Sequence, residues 1–293
     1  MYKVSSKNVV FSMDKDKPPV AEVETGIQIS FETCDCFENQ IQSQDTIINQ
    51  LDWNRINPAT GPVFVKGAMP GDTLVVKIEN IKIGSQGVML TGPNLGVLGD
   101  SLKENFVKIL PIIDGKIEFS DKIKLPVNPM IGVIGTAPKT ESISCGEPGV
   151  HGGNMDSKII GIGSTIYLPV EVPGALLAMG DLHAVMGDGE VSVCGAEVPG
   201  EVTVTVEVIK GRPYCLPVVF TKEAVYTIAS ELSLDDAAVT ATKNMVNMLV
   251  SKGMIEAEAI SLLSLSGNVQ ISQIVDPLKT ARFELPLWIY NSF

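Results

Sequence analysis

Short runs of alternating apolar and polar residues, separated by glycine, proline, asparagine and aspartate, fill the chain from residue 8 to residue 220. Residues 201–208 show strict period two, with valine at every second position and charged or hydroxyl-bearing residues between. Such alternation is typical of a strand with one face in a core and one in water. We predict further strands at residues 22–33, 73–81 and 165–170. Many short strands joined by turns predict a mainly β fold, built as a β-sandwich or jelly roll.

The pattern changes to a helical one after about residue 221. Ser233, followed by acidic residues at 235 and 236, predicts a helix N-terminus, and the helical spacing of apolar residues runs to a glycine stop at Gly253. A second helix is predicted over residues 256–265 and a last strand over residues 280–286.

The chain thus divides into two predicted parts. Residues 1–220 form a β-rich catalytic body, and residues 221–293 form a smaller C-terminal α/β portion packed on it. A length of 293 residues and 45% hydrophobic residues suit a well-buried core.

Charge and composition exclude several classes of partner and location. A formal net charge of -12 opposes binding to nucleic acid or anionic lipid. No apolar stretch approaches the ~20 residues that span a bilayer, and residues 1–14 lack a signal-peptide pattern, so we expect a cytoplasmic protein. Five cysteines, an odd number, do not indicate a disulfide framework. Cys34 and Cys36 are expected to be small core residues or thiols near a site.

The chain has only two histidines, and each lies in a polar, glycine-rich segment. Around the second, Asp181 and His183 are two residues apart and would share one face of an extended strand. Asp188 and Glu190 then follow in a Gly-Asp-Gly-Glu turn. This set fits a cation such as Zn²⁺ or Ca²⁺, and the alternative is a surface hairpin with solvated acids and an exposed histidine.

The first histidine lies in residues 148–156, which we do not expect to form a helix or a regular strand. Gly152 and Gly153 allow backbone N–H groups to approach a ligand, as in an oxyanion site. His151, Asn154 and Asp156 add side-chain donors and acceptors, and the alternative is a plain surface loop.

A weaker signal lies at the end of the strand over residues 22–33. Glu32 and Asp35 form an acid pair there. Asp35 either completes a metal site or is solvated, as acids at strand ends usually are.

Several stretches of this sequence resemble the acetamidase/formamidase family. They are FETCDCF (31–37), NPATGPVFVKGAMPGDTL (57–74), GVIGTAP (132–138), PGVHGGNMD (148–156), IYLPVEVPGALLAMGDLHAVMGDGEVSVCGAE (166–197) and VDPLKTARFELP (275–286). The resemblance implies hydrolysis of the C–N bond of a small neutral amide, a β-rich body with a C-terminal α/β portion, a homodimer and a divalent metal. One residue departs from the family, because Met186 stands where a glutamine is common. If that position lines the pocket, the pocket is more apolar and formamidase activity is in doubt.

For amide hydrolysis we predict roles residue by residue, with Zn²⁺ as the first choice of metal and Ca²⁺ as the second. The predicted roles are metal ligand for Asp35, Asp181 and His183; fourth ligand or oxyanion donor for His151; general base and then acid for Glu190; holder of the substrate oxygen for Asn154, Gly152 and Gly153; and support of the ligands or binding of a second ion for Glu32, Asp156, Asp188 and Glu197. Two alternatives stay open. One is a metallohydrolase of another C–N substrate, such as a lactam or an N-formyl compound; the other is a non-catalytic, calcium-dependent binding module.

Overall fold

The structure is a computed structural model that describes residues 1–211 and 217–293 of the chain. Cys215, one of the cysteines counted above, lies outside the described residues. The other four cysteines are buried and free, as expected without a disulfide framework.

Strands are numbered in chain order. They are β1 Tyr2–Val4, β2 Val9–Val10, β3 Ser12–Met13, β4 Ala21–Val23, β5 Gln28–Thr33, β6 Ala59–Val65, β7 Thr73–Ile83, β8 Gln86–Thr91, β9 Phe106–Ile113, β10 Lys116–Glu118, β11 Lys124–Pro126, β12 Met130–Gly135, β13 Ile143–Ser144, β14 Pro148–Gly149, β15 Gly152–Asn154, β16 Thr165–Pro169, β17 Leu177–His183, β18 Glu197–Val198, β19 Gly200–Ile209, β20 Val218–Phe220, β21 Ala224–Glu231, β22 Asn268–Gln273 and β23 Lys279–Pro286. The α-helices are α1 Leu234–Ser251, α2 Glu256–Ser266 and α3 Leu287–Tyr290, and short 3₁₀ helices cover Ile48–Gln50, Trp53–Arg55 and Gly99–Ser101.

Two large sheets form the body of the protein. Among the described residues, the first sheet has nine strands in the order β1-β5-β19-β7-β16-β20-β21-β23-β22. The second runs β11-β10-β9-β8-β18-β17-β12-β15-β14, with β6 joined to β17 and carrying β2 and β4. Apolar side chains from both sheets, such as Val204 and Leu182, pack in one hydrophobic core. The prediction of a mainly β fold with a smaller C-terminal α/β portion is therefore confirmed.

The strictly alternating segments form the strands that the sequence predicts. Residues 73–81 and 201–208 lie in β7 and β19, and the predicted strand over 165–170 is β16, which ends one residue earlier; the three strands are neighbours in the first sheet. In β19 the valines at 202, 204 and 206 are fully buried, because the alternation places them on the core face.

The prediction of one strand over residues 22–33 is wrong. This segment forms two strands, with β4 paired to β6 in the second sheet and β5 paired to β19 in the first. Gly26, with a φ of 79°, turns the chain between them. Alternation continues across the turn because both strands face the same core.

The C-terminal helices begin and end as predicted. The Ser233 side chain accepts a hydrogen bond from the backbone N–H of Asp236 at the start of α1, and Gly253, with a φ of 101°, follows its end. Helix α2 matches its prediction within one residue, and β23 matches the predicted last strand. Strand β22 was not predicted. Helix α1 packs on β21 and β23, and α2 packs on α1 and β23, around a second hydrophobic core.

The division at residues 220 and 221 stays a prediction. That position lies in the turn between β20 and β21, which pair within the first sheet. Among the described residues, no helix combines the length and apolar character needed to span a membrane.

Candidate active site

The centre of the second sheet carries a buried imidazole surrounded by acids. Strand β17 ends in His183, and in the neighbouring strand β18 Glu197 lies directly opposite it in register. Strand β12 lies on the other side of β17, and beyond it β15 leads into Asp156. The loop after β17 returns Glu190 to the same place. We call His183, Asp156, Asp181, Glu190 and Glu197 the acid–imidazole cluster.

The four carboxylates of the cluster lie close to one atom, the Nε2 of His183. The distances are 3.1 Å to Glu197 Oε1, 3.5 Å to Asp181 Oδ1, 3.6 Å to Asp156 Oδ1 and 3.9 Å to Glu190 Oε1. Each of the five residues is at most 5% exposed. The alternative of an exposed histidine on a surface hairpin is therefore wrong for this segment.

The backbone adopts unusual conformations at the acids of the cluster. Asp156, Asp181 and Glu190 have φ values of 40°, 55° and 48°, in the left-handed region. The extended geometry assumed for Asp181 in the sequence therefore does not hold, although its carboxylate does reach His183. Gly132 makes the approach possible, since a Cβ there would lie 2.5 Å from carboxylate oxygens of both Asp156 and Asp181. Strain of this kind is often found at functional sites.

Burial and mutual repulsion shift the pKa values of three of the four acids upward. The fourth is Asp181, whose pKa is lowered against the effect of burial by the charge of His183 and by a hydrogen bond with it. Burial raises the pKa of Asp156 to about 7, with Asp181 adding to the effect, and raises the pKa of Glu197 to about 8. Burial, and next the charge of Asp156, raises the pKa of Glu190 well above its usual value. Burial alone would lower the pKa of His183, but the charges of Glu197 and Asp181 raise it well above its usual value. The cluster therefore has an excess of negative charge that protons or a cation must balance.

The donor set fits a divalent cation. Adjacent ligand atoms around a tetrahedral ion with bonds of about 2.0–2.1 Å are about 3.4 Å apart, close to the 3.5 and 3.6 Å that separate His183 Nε2 from the Oδ1 atoms of Asp181 and Asp156. Oxygens of Asp156, Asp181, Glu190 and Glu197 lie buried without a hydrogen-bond partner among the described residues. An imidazole nitrogen with carboxylate oxygens suits Zn²⁺, whereas Ca²⁺ takes oxygen ligands.

The described side chains form two groups of possible metal ligands, and within each group all the ligand atoms lie within 4.8 Å of one another. One is Asp156, His183 and Glu190, and the other is Cys36, Asp181 and Glu197. Cys36 was expected to be a small core residue or a thiol near a site, and was not predicted as a ligand. It enters because β5 ends beside the cluster and the chain turns there.

Asp35 is near the cluster but outside both groups. Its Oδ1 accepts hydrogen bonds from the backbone N–H groups of Phe37 and Asn39, at 3.0 and 2.7 Å, and so closes the turn after β5. Burial raises its pKa to about 6. Through these hydrogen bonds the Asp35 side chain stabilises the turn that carries Cys36.

The segment around His151 forms a hairpin of the short strands β14 and β15, so the expectation of no regular strand there is wrong. His151 is 2% exposed, which also excludes a plain surface loop, and within residues 1–211 and 217–293 both its ring nitrogens lack a hydrogen-bond partner. Burial lowers its pKa to about 4. Gly152 and Gly153 have φ values of 96° and 77°, and a Cβ at Gly153 would lie 2.2 Å from the backbone oxygen of Glu147.

Asn154 connects the hairpin to the C-terminal portion. Its Nδ2 donates a hydrogen bond to Asp276 Oδ2 at 3.1 Å, in the loop between β22 and β23. Burial, and next the charges of Asp156 and Asp181, raises the pKa of Asp276 well above its usual value. Asp276 was not predicted, although it lies in one of the stretches that carry the family resemblance.

Two of the predicted acids lie elsewhere. Glu32 points away from the cluster at the surface, where Lys3 Nζ lies 2.7 Å from its Oε1. Asp188 pairs with Arg282 through two hydrogen bonds of 2.9 and 2.8 Å, and with Lys158 at 2.8 Å. Against the effect of burial, these two partners lower the pKa of Asp188. Asp188 therefore anchors the loop that carries Glu190, and is not a free ligand.

A cavity of about 500 Å³ lies beside the cluster, with Glu190 and Met186 among its lining residues.

Known proteins are similar to this chain in sequence and fold. The sequence profile of the acetamidase/formamidase family matches residues 6–146 and 142–292. The chain belongs to the acetamidase/formamidase family.

Solved structures and curated relatives agree with this membership. The crystal structure of an acetamidase from Bacillus halodurans is 50% identical with a TM-score of 0.98, covering 99% of both chains. That of a predicted acetamidase/formamidase from Thermoanaerobacter tengcongensis is 52% identical with a TM-score of 0.96, covering 100% of this chain and 97% of that one. A formamidase from Methylophilus methylotrophus is 26% identical over 67% of this chain. The chain spans 62% to 64% of the length of the curated relatives it matches.

Proposed function

We propose that this protein hydrolyses the C–N bond of carboxylic amides and releases ammonia and a carboxylate. The observation that carries the proposal is the buried imidazole of His183 with four acids within 3.9 Å. Membership of a family whose relatives are named acetamidase and formamidase supports the reaction class.

The proposal includes a divalent cation, with Zn²⁺ as the first choice. Asp156, Asp181 and His183 would hold it, because the buried carboxylate oxygens of the two acids lie 3.6 and 3.5 Å from His183 Nε2. When bound, the cation supplies Lewis acidity, which polarises a carbonyl group and eases the deprotonation of water. Asp156 thus takes the ligand role predicted for Asp35.

Glu190 is the proposed general base. It belongs to the cluster and also lines the cavity in which an amide can lie. Its raised pKa suits a carboxylate that takes a proton from water and then passes it to the leaving nitrogen. Ammonia is a poor leaving group, so this second transfer is as necessary as the first.

Asn154 is the proposed holder of the substrate oxygen. Its amide carries two N–H donors, of which Asp276 accepts one, so the other is available in a fixed direction. We propose that Asp276 is the residue that orients this amide.

The test measures ammonia release from acetamide and formamide by the purified protein. After complete chelation, Zn²⁺ or Ca²⁺ is added back and the metal content is determined by elemental analysis. We expect turnover to fall with the loss of metal and to return with Zn²⁺. Full activity after complete metal removal would contradict the metal part of the proposal. A γ-lactam and an N-formyl compound in the same assay test the other C–N substrates, and calcium-dependent ligand binding without turnover would favour a binding module.

We also propose that the protein is a homodimer, as the family resemblance implies. Light scattering of the purified protein is expected to give twice the 31.3 kDa mass of the chain. A monomer at micromolar concentration contradicts this proposal and leaves the reaction untouched.

A further inference from the structure

The cavity beside the cluster has mostly apolar walls. It lies between strands β8 to β11 of the second sheet and the segment 185–196. Leu110 and Ile117 lie on the sheet side, Met186 lies on the loop side, and Phe119 and Leu125 are partly exposed members of the wall. At about 500 Å³, the cavity falls within the range of roughly 300–1,000 Å³ in which proteins bury drug-sized ligands.

The cavity meets the acid–imidazole cluster at two places. Glu190 belongs to both, and its Oε1 lies 3.9 Å from His183 Nε2. Gly195 also lines the cavity, and a Cβ at this position would lie 2.5 Å from His183 Nδ1. The backbone of Gly195 therefore lies directly against the Nδ1 side of the imidazole. A group bound in the cavity would lie directly beside the proposed reaction centre.

Formamide and acetamide fit this cavity poorly. They have three and four non-hydrogen atoms, so most of the apolar wall would remain in contact with water. Filling an apolar wall with an apolar group removes that contact, and each buried methylene contributes about 0.8 kcal/mol. Met186 adds a further apolar side chain to the wall.

We propose that the substrate is a neutral amide with an apolar substituent of roughly five to ten carbons, a size set by the cavity, and that this substituent lies against Met186, Ile117 and Leu125. The inference rests on the proposed amide hydrolysis and names the substrate class of that same site.

The experiment measures kcat/KM for the series acetamide, butyramide, hexanamide and phenylacetamide. We expect kcat/KM to rise about fourfold per added methylene, the value that corresponds to about 0.8 kcal/mol, until the cavity is full. The rise should become weaker in Leu125→Asp, which places a charge in the wall, and in Met186→Gln. The matched control is Leu232→Asp, which changes a leucine that is 82% exposed outside the cavity and should keep the wild-type chain-length dependence.

A second experiment distinguishes a wrong inference from a wrong function. It measures by calorimetry the affinity of the Glu190→Gln variant for hexanamide and for acetamide. Hydrolysis of acetamide with no gain for longer amides overturns the inference and leaves the function intact. Tighter binding of hexanamide than of acetamide, without turnover of any amide by the wild type, supports the cavity and overturns the function. If Leu125→Asp dissociates an oligomer and the chain-length dependence stays the same, the wall is a contact between copies of the chain and the inference is wrong.

Discussion

His151 and His183 lie on neighbouring parts of one sheet, separated by strand β12, and they are almost equally buried at 2% and 1% exposure. His151 is packed among glycines, and burial lowers its pKa to about 4. His183 faces four acids, and their charges outweigh the same effect of burial on its pKa. Burial alone therefore does not define a reactive histidine. The number of acids that the fold brings to the ring decides whether it stays neutral or attracts a positive charge.

The largest expected effect follows from removing the imidazole of His183. His183→Ala removes the atom around which the cluster is built, so metal binding and turnover should both be lost. Changes to the hydrogen-bond partners of metal ligands lower metal affinity or activity about 10- to 100-fold, and loss of a ligand itself should lower them further. Metal content and kcat, measured on the same preparation, check this. The contrasting variant His151→Gln should keep its metal, and a metal-free His151→Gln would show that both histidines are ligands.

Glu190→Gln tests the acid that lies between His183 and the cavity. The amide has nearly the same shape but cannot accept a proton, so kcat should fall by about 10²–10⁴-fold while the metal stays bound. A fully active variant would rule out Glu190 as the base. Loss of metal in this variant would instead identify Glu190 as a ligand.

Much of the fold could be predicted because local patterns determine it. Strand β19 follows from strict alternation of valine, and α1 follows from the Ser233 cap and Gly253. The split of residues 22–33 into two strands of different sheets could not be predicted, because both strands keep the same alternation.

The site could be predicted only in part. Asp181 and His183 are neighbours in sequence, so their proximity is a local property. Cys36 and Asp276 reach the same place from opposite ends of the chain, and no local pattern indicates which loops meet. The sequence also does not indicate which partner an acid will have. Asp188 and Glu190 are two residues apart, yet Asp188 pairs with Arg282 and Glu190 lies in the cluster.

The two histidine segments differ in how they are anchored, and a substitution at Arg282 removes that difference. Its guanidinium is 1% exposed and forms an ion pair with Asp188, two residues before Glu190, whereas the His151 hairpin is held to the C-terminal portion by the hydrogen bond from Asn154 to Asp276. Arg282→Met should lower the free energy of unfolding by about 3 kcal/mol, the low end for breaking a buried pair, since Asp188 is partly exposed and keeps Lys158. It should also lower kcat more than it raises KM.

Denaturant titration and steady-state kinetics measure these two effects. The control is the double variant Arg282→Met, Asp188→Asn, in which no carboxylate is left without its partner, so its loss of stability should be smaller than the sum of the single losses. If the double variant lost as much stability as the two single variants together, the two residues would not be coupled, and the pair would not hold the Glu190 loop.

The smallest expected effect is the pH dependence of stability due to His151. Its pKa falls from an ordinary value of 6.5 in the unfolded chain to about 4 in the fold, so between these values the unfolded chain binds more protons than the folded one. The contribution of His151 is therefore fully present above pH 6.5 and is lost as the pH falls toward 4. It should amount to about 2 kcal/mol between pH 7.5 and pH 5.

Urea unfolding of the wild type and of His151→Gln at a series of pH values isolates this contribution. The buried acids Asp156 and Glu197, whose pKa values are raised, change stability in the opposite direction, but they are common to both proteins and cancel in the difference. We expect the stability of the wild type, relative to His151→Gln, to decrease as the pH falls from 6.5 to 4. A difference that stays constant over this range would mean that His151 has a partner in solution that keeps its ordinary pKa, and the contrast with His183 would then rest on distance alone.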